Sequence, residues 1–236
     1  MSSIRANTLK SPRYLHLTII LTFAIPLFFG LSRAQQLQQG ISVQMAHTTS
    51  AVAYPAADNA DAWIVAVTAK GELYFGVKSV TPEQLLEKME ATPRQRDARL
   101  YIKADAQSTF SSLRTALGPA RSAHFENAVL LTSQLESHSH AGLVPPQGIS
   151  VEIVPQKSGA IDVRISRQAE VSQLMVNGKT IAWSDLEGTL KNLVRGRNQV
   201  VQVEANDAVP FADLIRVLDE ASKTGAKLAV PSYHSL

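Results

Sequence analysis

The chain has 236 residues, 45% of them hydrophobic and 18% charged, with a formal net charge of +3 and no cysteine. That composition describes a globular protein with room for about two small domains beside a terminal segment, and the missing cysteines exclude a disulfide framework, a thiolate metal site and a cysteine nucleophile. Arg5, Lys10, Arg13 and Arg33 all precede the first acidic residue, Asp58, so the remainder is close to neutral and lacks the basic excess that a phosphate-tracking surface requires.

Residues 1–13 form a basic tail ahead of the uncharged run "YLHLTIILTFAIPLFFGLS", Tyr14–Ser32. As a helix rising about 1.5 Å per residue the run reaches roughly 28 Å, close to the ~30 Å hydrocarbon layer. A transmembrane helix is expected over 14–32, with the basic tail cytoplasmic and everything after it on the other side. Pro26 and Gly30 are tolerated in such a helix. The alternative is a signal peptide to residue 34, with Ser32 and Ala34 at the small-residue positions before a cut. The only titratable ring in the run is His16, in its first turn and so at the interface, while Thr18 and Thr22 can bond across a helix interface but carry no charge.

Residues 33–39, with "AQQLQQ", read as a tether. Beyond it the sequence repeats. "GISV" occurs at Gly40–Val43 and at Gly148–Val151, and Phe75–Leu131 lies over Val176–Ser232 at a constant offset of 101, pairing Arg94 with Arg195, Ala104 with Ala205, Phe110 with Phe211, Leu113 with Leu214, Leu117 with Leu218 and Val129 with Val230. In the first half "WIVAVTAKGELYFG" reads as a hairpin about a Lys-Gly turn. "TPEQLLEKM" is a helix capped by Thr81 with Pro82 at its first position. "ARLYIKAD" is a half-buried strand, "STFSSLRTALGPARSA" an amphipathic helix and "AVLLT" a closing strand. The second half offers the same order in "AIDVRISRQAEVSQLMVNG", in "SDLEGTLKNL" with Ser184 at the cap position, in "QVVQVEAN", in "VPFADLIRVLDEASKTG" and in "LAV".

The expected fold is α+β: two repeated ββαβαβ-like domains, 40–134 and 148–236, each a sheet with helices on one face, joined by a polar, proline-containing linker over 135–147. An exposed sheet edge is the natural place for a partner to add a strand.

The basic tail, single span, short tether, "GISVQM", "ADAWIVAVTAKGELYFG", the capped helix and "YIKADA" together resemble the ExbD/TolR biopolymer-transport family, and "VNGKTIAWSDLEGTLKNL" through "VEANDAVPFADLIRVLDEASKTGAKLAV" resembles its periplasmic domain a second time. The resemblance implies an accessory subunit of the inner-membrane systems that drive TonB-dependent uptake or the Tol machinery, single-pass, with periplasmic domains. It implies envelope partners such as an ExbB/TolQ-like channel subunit or a TonB-like protein, and self-association as a homo-oligomer. Where the family carries Asp-Leu-Pro after the tether, this chain has Gln44, Met45 and Ala46, and the span has Thr18 to Thr22 where the family's proton-carrying aspartate falls. One copy of the domain is usual and here there are two.

No catalytic, cofactor-binding or metal residues are assigned. His138 and His140 supply two imidazoles where a zinc site needs three or four ligands. The carboxylate pairs Asp185/Glu187 and Asp219/Glu220 belong at a helix start and on a charged helix face, where acids are ordinary. Asp105, matched by Asn206 in the second half, is expected to cap a helix. Trp63, Trp183, Phe110 and Phe211 are expected in the core. With no phosphate loop, nucleophile elbow or dinucleotide fingerprint, the expected function is a non-enzymatic, non-proton-conducting envelope protein with no cofactor and no nucleic-acid partner. The alternative is a cleaved periplasmic module binding protein or peptidoglycan.

Overall fold

The computed structural model describes residues 40–93, 98–134, 145–155, 158–196 and 198–232. The expected span over 14–32, the tether, His16, Arg94, His138 and His140 lie outside the described residues. Among the described residues no helix is long and apolar enough to cross a membrane.

Among the described residues thirteen strands make one mixed sheet: β1 (His47–Thr48), β2 (Val52–Ala53), β3 (Trp63–Val67), β4 (Leu73–Phe75), β5 (Lys78–Val80), β6 (Leu100–Ala104), β7 (Asn127–Gln134), β8 (Gln147–Val154), β9 (Ile161–Gln168), β10 (Val171–Val176), β11 (Lys179–Ile181), β12 (Val200–Ala205) and β13 (Lys227–Pro231). Their order is β11-β10-β9-β12-β13-β8-β7-β6-β3-β4-β5, with β1 added beside β7 and β2 beside β8. Strands β3, β6 and β7 are parallel, as are β9, β12 and β13, and each set is flanked by an antiparallel pair. The two sets meet at β8, antiparallel to β7 and parallel to β13. The sheet is continuous across the middle, and Gln134, just before the expected linker, and Gln147, its last residue, are both in strands.

The α-helices of the described residues, α1 (Pro82–Ala91), α2 (Phe110–Ser122), α3 (Leu186–Leu193) and α4 (Phe211–Ser222), pack on one face of this sheet. Their buried residues, Phe110, Leu113, Leu117, Phe211, Leu214 and Leu218 among them, share one core with alternate strand residues such as Val65, Ile102, Leu130, Val163 and Val203. Phe110 and Phe211 are both essentially inaccessible, at 1% and 0% exposure. Trp63 is buried against the rings of Phe75 and Phe125. Trp183 is half-buried, with its indole N–H donating to the Ser172 carbonyl at 2.9 Å and the Arg216 guanidinium 4.6 Å above its ring.

Four expectations change. Each half has a third short strand, β5 or β11, between hairpin and helix, so the order is βββαβαβ. Strand β6 is buried along its whole length, because residues on its second face, Tyr101 with Ile64, Val129 and Leu131, are covered by Met45, Tyr54, Ala57 and Ala62. Ser184 does not cap α3: it lies inside a 3-10 turn, Trp183–Asp185, and α3 begins at Leu186 without a side-chain cap. Thr81, by contrast, forms a full capping box with Gln84. Finally, the offset of 101 holds through the starts of α2 and α4 but not into the last strand. Tyr101 pairs with Val129 whereas Gln202 pairs with Ala229, so Val129 matches Ala229 rather than Val230. One residue fewer between Gly225 and β13 than between His124 and β7 accounts for this, and an offset of 101 kept into β13 would turn every one of its side chains to the wrong side of the sheet.

Candidate functional site: the N-terminal strap and the Asp219 cluster

Residues 44–54 cross the molecule as a strap held mainly by polar bonds. The Gln44 N–H donates to the Asp105 carboxylate at 3.0 Å, and the Ala106 N–H donates to the Gln44 carbonyl at 2.7 Å. The Ser133 N–H donates to the Ala46 carbonyl at 2.9 Å, and β1 then runs parallel to the end of β7 with His47 opposite Ser133. Beneath it the hydroxyls of Thr48 and Thr132 bond at 2.8 Å in a buried position, and Ser133 Oγ meets His47 Nδ1 at 2.8 Å.

At Thr49 and Ser50 the strap reaches α4. Asp219 accepts from both backbone N–H groups and both hydroxyls: Thr49 N at 3.1 Å, Thr49 Oγ1 at 2.8 Å, Ser50 N at 2.9 Å and Ser50 Oγ at 2.6 Å. Ser222, three residues further along the same helix, bonds the Ser50 hydroxyl from the other side, and Lys223 Nζ stands 3.8 Å from the carboxylate. Asp219 is only 6% exposed. Burial pushes its carboxyl up, but the combined donors from Ser50 and Thr49 outweigh that and hold it below the ordinary carboxylate range. Past this point β2 pairs with the start of β8, and the Tyr54 N–H donates to the Pro146 carbonyl at 2.6 Å.

Asp219 is the residue that sequence reasoning misplaced. It is not on a solvated helix face but is the anchor of the strap, and its neighbour Glu220 is the one that pairs outward, with Lys223 at 2.8 Å. A signal existed: Asp219 follows Ile215 by four residues and so stands on the margin of the apolar face of α4. The strap hydroxyls carried none, since Thr and Ser in a polar segment read as loop. Asp105 is also reassigned. Thr109 caps α2, accepting from Ser112 N at 3.3 Å, while Asp105 closes a turn with Gln107 N at 3.0 Å and holds Gln44. Asn206 in the other half accepts instead from Arg167 N at 3.2 Å. Asp185 and Glu187 are exposed and are not drawn together, and Glu187 pairs with Lys191 at 2.6 Å.

Chemically this is a latch. The backbone and hydroxyl donors of Thr49 and Ser50 all go to Asp219, and among the described residues no group of three His, Asp or Glu side chains is placed to hold a metal ion. What the arrangement does is join the segment that leaves the N-terminal region to β6 and β7 on one side and to β8 and α4 on the other.

Comparison with curated proteins and with solved structures returned no match. Residues 127–230 match the family model described as Biopolymer transport protein ExbD/TolR. The matched stretch opens at the first residue of β7 and ends within β13, so it takes in β8, the second hairpin, α3 and α4. Over residues 127–230 the chain is similar to that family.

Proposed function

We propose that the protein is a membrane-anchored accessory subunit of a biopolymer-transport system, held in the bacterial inner membrane by Tyr14–Ser32, with two tandem ExbD/TolR-like copies, 40–134 and 148–236, in the periplasm. The observation that carries the family role is the match over 127–230. Support for a second copy comes from strand register. The pairs Leu73–Val80, Tyr74–Ser79 and Phe75–Lys78 are each matched 101 residues on by Leu174–Ile181, Met175–Thr180 and Val176–Lys179. The bond from Asp105 N to the Val67 carbonyl at 2.9 Å has its counterpart from Asn206 N to the Ile165 carbonyl at 3.0 Å.

The protein works without carrying protons itself: residues 14–32 hold no Asp or Glu, and His16 is only the third residue of that run. Energy reaches it through a partner subunit of the ExbB/TolQ or TonB kind. The outer sheet edges give little support to strand addition: β5 and β11 have three residues each and carry Lys78 and Lys179, features that discourage open-ended pairing. The strap is the better mechanical link between anchor and folded unit, since a pull on residue 44 acts on Asp105, β7, Asp219 and β8 together.

Four measurements test this function. The full chain should stay with membranes through alkaline carbonate and high salt, and release would point to the cleaved periplasmic alternative that Ser32 and Ala34 allow. A reporter active only in the cytoplasm, fused after Leu236, should be silent. Cross-linking in intact cells should capture a channel subunit of the family's partner class. If His16→Ala alone abolished the transport phenotype at unchanged protein level, the non-conducting assignment would fail.

A further inference from the structure

Four backbone bonds join the loop before α2 to the loop before α4, and they come in two pairs. The Phe110 N–H donates to the Val209 carbonyl at 2.8 Å, and the Phe211 N–H donates to the Ser108 carbonyl at 2.7 Å. The Ser111 N–H donates to the Asp207 carbonyl at 3.3 Å, and the Ala212 N–H to the Ala106 carbonyl at 3.0 Å. Exchanging each residue for the one 101 places away turns the first bond of each pair into the second. At the centre stands an isolated antiparallel bridge between Thr109 and Pro210, themselves 101 apart. Contacts in which residue i meets j and the equivalent of j meets the equivalent of i are the signature of an isologous two-fold interface.

The bonds have a specific use. A helix begins with N–H groups that have no partner within it, and here the first two of each helix are satisfied by carbonyls of the other half. The dependence is greater for α4, whose flanking residue Pro210 offers no side-chain acceptor, than for α2, which also has Thr109. Phe110 and Phe211, the first residues of the two helices, are buried on either side of the junction. The Arg114–Asp207 ion pair crosses the same junction and has no counterpart, since the equivalent positions are Ile215 and Ala106.

We infer that Ala106–Ser111 and Asp207–Ala212 are one self-complementary docking surface present twice, and that the chain closes the two on each other. One polypeptide is then a complete two-fold pair of domains, an inference that rests on the two-copy reading above, and the surface is not left open to a second chain. The partner that fits this surface is the chain's own other half. A self-associated form of this protein would have to use something else.

The absence of cysteine from the sequence makes the test clean. In the full chain in detergent, Thr109→Cys with Pro210→Cys places two thiols on bridged antiparallel partners, whose Cα atoms stand about 4.5–5.5 Å apart, within disulfide reach. Mild oxidation should convert most of the protein to a disulfide within one chain. On a non-reducing gel it should run at the monomer position, also when a second, larger-tagged copy is co-expressed. Disulfide-linked dimers joining position 109 of one chain to 210 of another would overturn closure within the chain while leaving the two copies intact. Ser111→Cys with Asp207→Cys repeats the measurement at the same junction should the first variant fail to accumulate. No bond in either pair, in a protein with the wild-type circular dichroism spectrum, would overturn the junction and the two-copy reading together.

Discussion

The tetrapeptide Gly-Ile-Ser-Val is a strand at 148–151 and not one at 40–43. In β8 it pairs with β7 along its length and with β2 at Gly148, and Gly148 is there because a Cβ would come within 2.6 Å of the Leu130 carbonyl oxygen. In the first half the same letters lead into the strap. Gly40 takes a positive φ of 93°, and a Cβ on it would lie 3.2 Å from the Gly76 carbonyl oxygen. Asn127–Thr132 of β7 pair with β8 on one edge, whereas the strap that follows Gly40–Val43 reaches β7 only at Ser133 and Gln134, through β1. Identical residues therefore take different structures because only the copy at 148–151 lies in a strand that pairs over six residues, the tertiary override expected of β propensity.

The same contrast runs through the rest of the molecule: the two halves agree where they pair internally and differ where the strap touches them. Largest among the effects that sharpen this comparison are the matched core residues. Phe110→Ala and Phe211→Ala should each cost about 3–5 kcal/mol in urea unfolding of the full chain. Nearly equal losses fit equivalent sites, and a near-neutral result at either would break the equivalence. Next comes the strap. Asp219→Ala should cost about 1.5–3 kcal/mol, the scale for hydrogen bonds to a charged group, with loss of hydrogen-exchange protection at Thr49 and Ser50. The position 101 residues earlier is Gly118, which has no such partners, so Gly118→Ala should leave the strap protected.

The pH dependence of that latch follows from the depressed Asp219 carboxyl. Because its folded-state pKa lies below its unfolded value, its contribution to stability is complete above the ordinary carboxylate pKa of about 3.9. It fades as pH falls through the lower folded value. Acid titration should therefore release protection at Thr49 and Ser50 only below about pH 4, and Asp219→Asn should remove that step. Release beginning near neutrality would mean that another group controls the strap.

Smaller effects separate the two glycines and the two helix starts. Gly148→Ala should cost about 1–3 kcal/mol, as overpacking against a backbone does, while Gly40→Ala should cost about 1–2 kcal/mol for its left-handed backbone alone. Thr81→Ala removes a capping box and should cost about 1 kcal/mol. Ser184→Ala, in the 3-10 turn ahead of α3, should change stability little.

Much of this was legible in the residues. Apolar spacing marked α2 and α4, Thr81-Pro82 marked the start of α1, and the offset of 101 placed Phe110 and Phe211 together in the core. What could not be read were consequences of long-range pairing. The missing residue between α4 and β13 is invisible as letters and obvious only when Gln202 is seen opposite Ala229. Full burial of β6, including Lys103 at 5% exposure, needs the loop bearing Tyr54 and Ala57 to fold over a second face. Burial pushes the Lys103 amine below its usual value, a cost that no local pattern announces. Asp219 was misassigned because its donors come from 169 and 170 residues away.

Reciprocal capping of the two halves is tested most directly by hydrogen exchange at four amides of the unaltered full chain. Phe110 and Phe211 should show closely similar protection, as should Ser111 and Ala212, and all four should lose it together when urea opens the junction. Protection confined to Phe110 and Ser111, with Phe211 and Ala212 exchanging as freely as exposed amides, would contradict the two-fold pair.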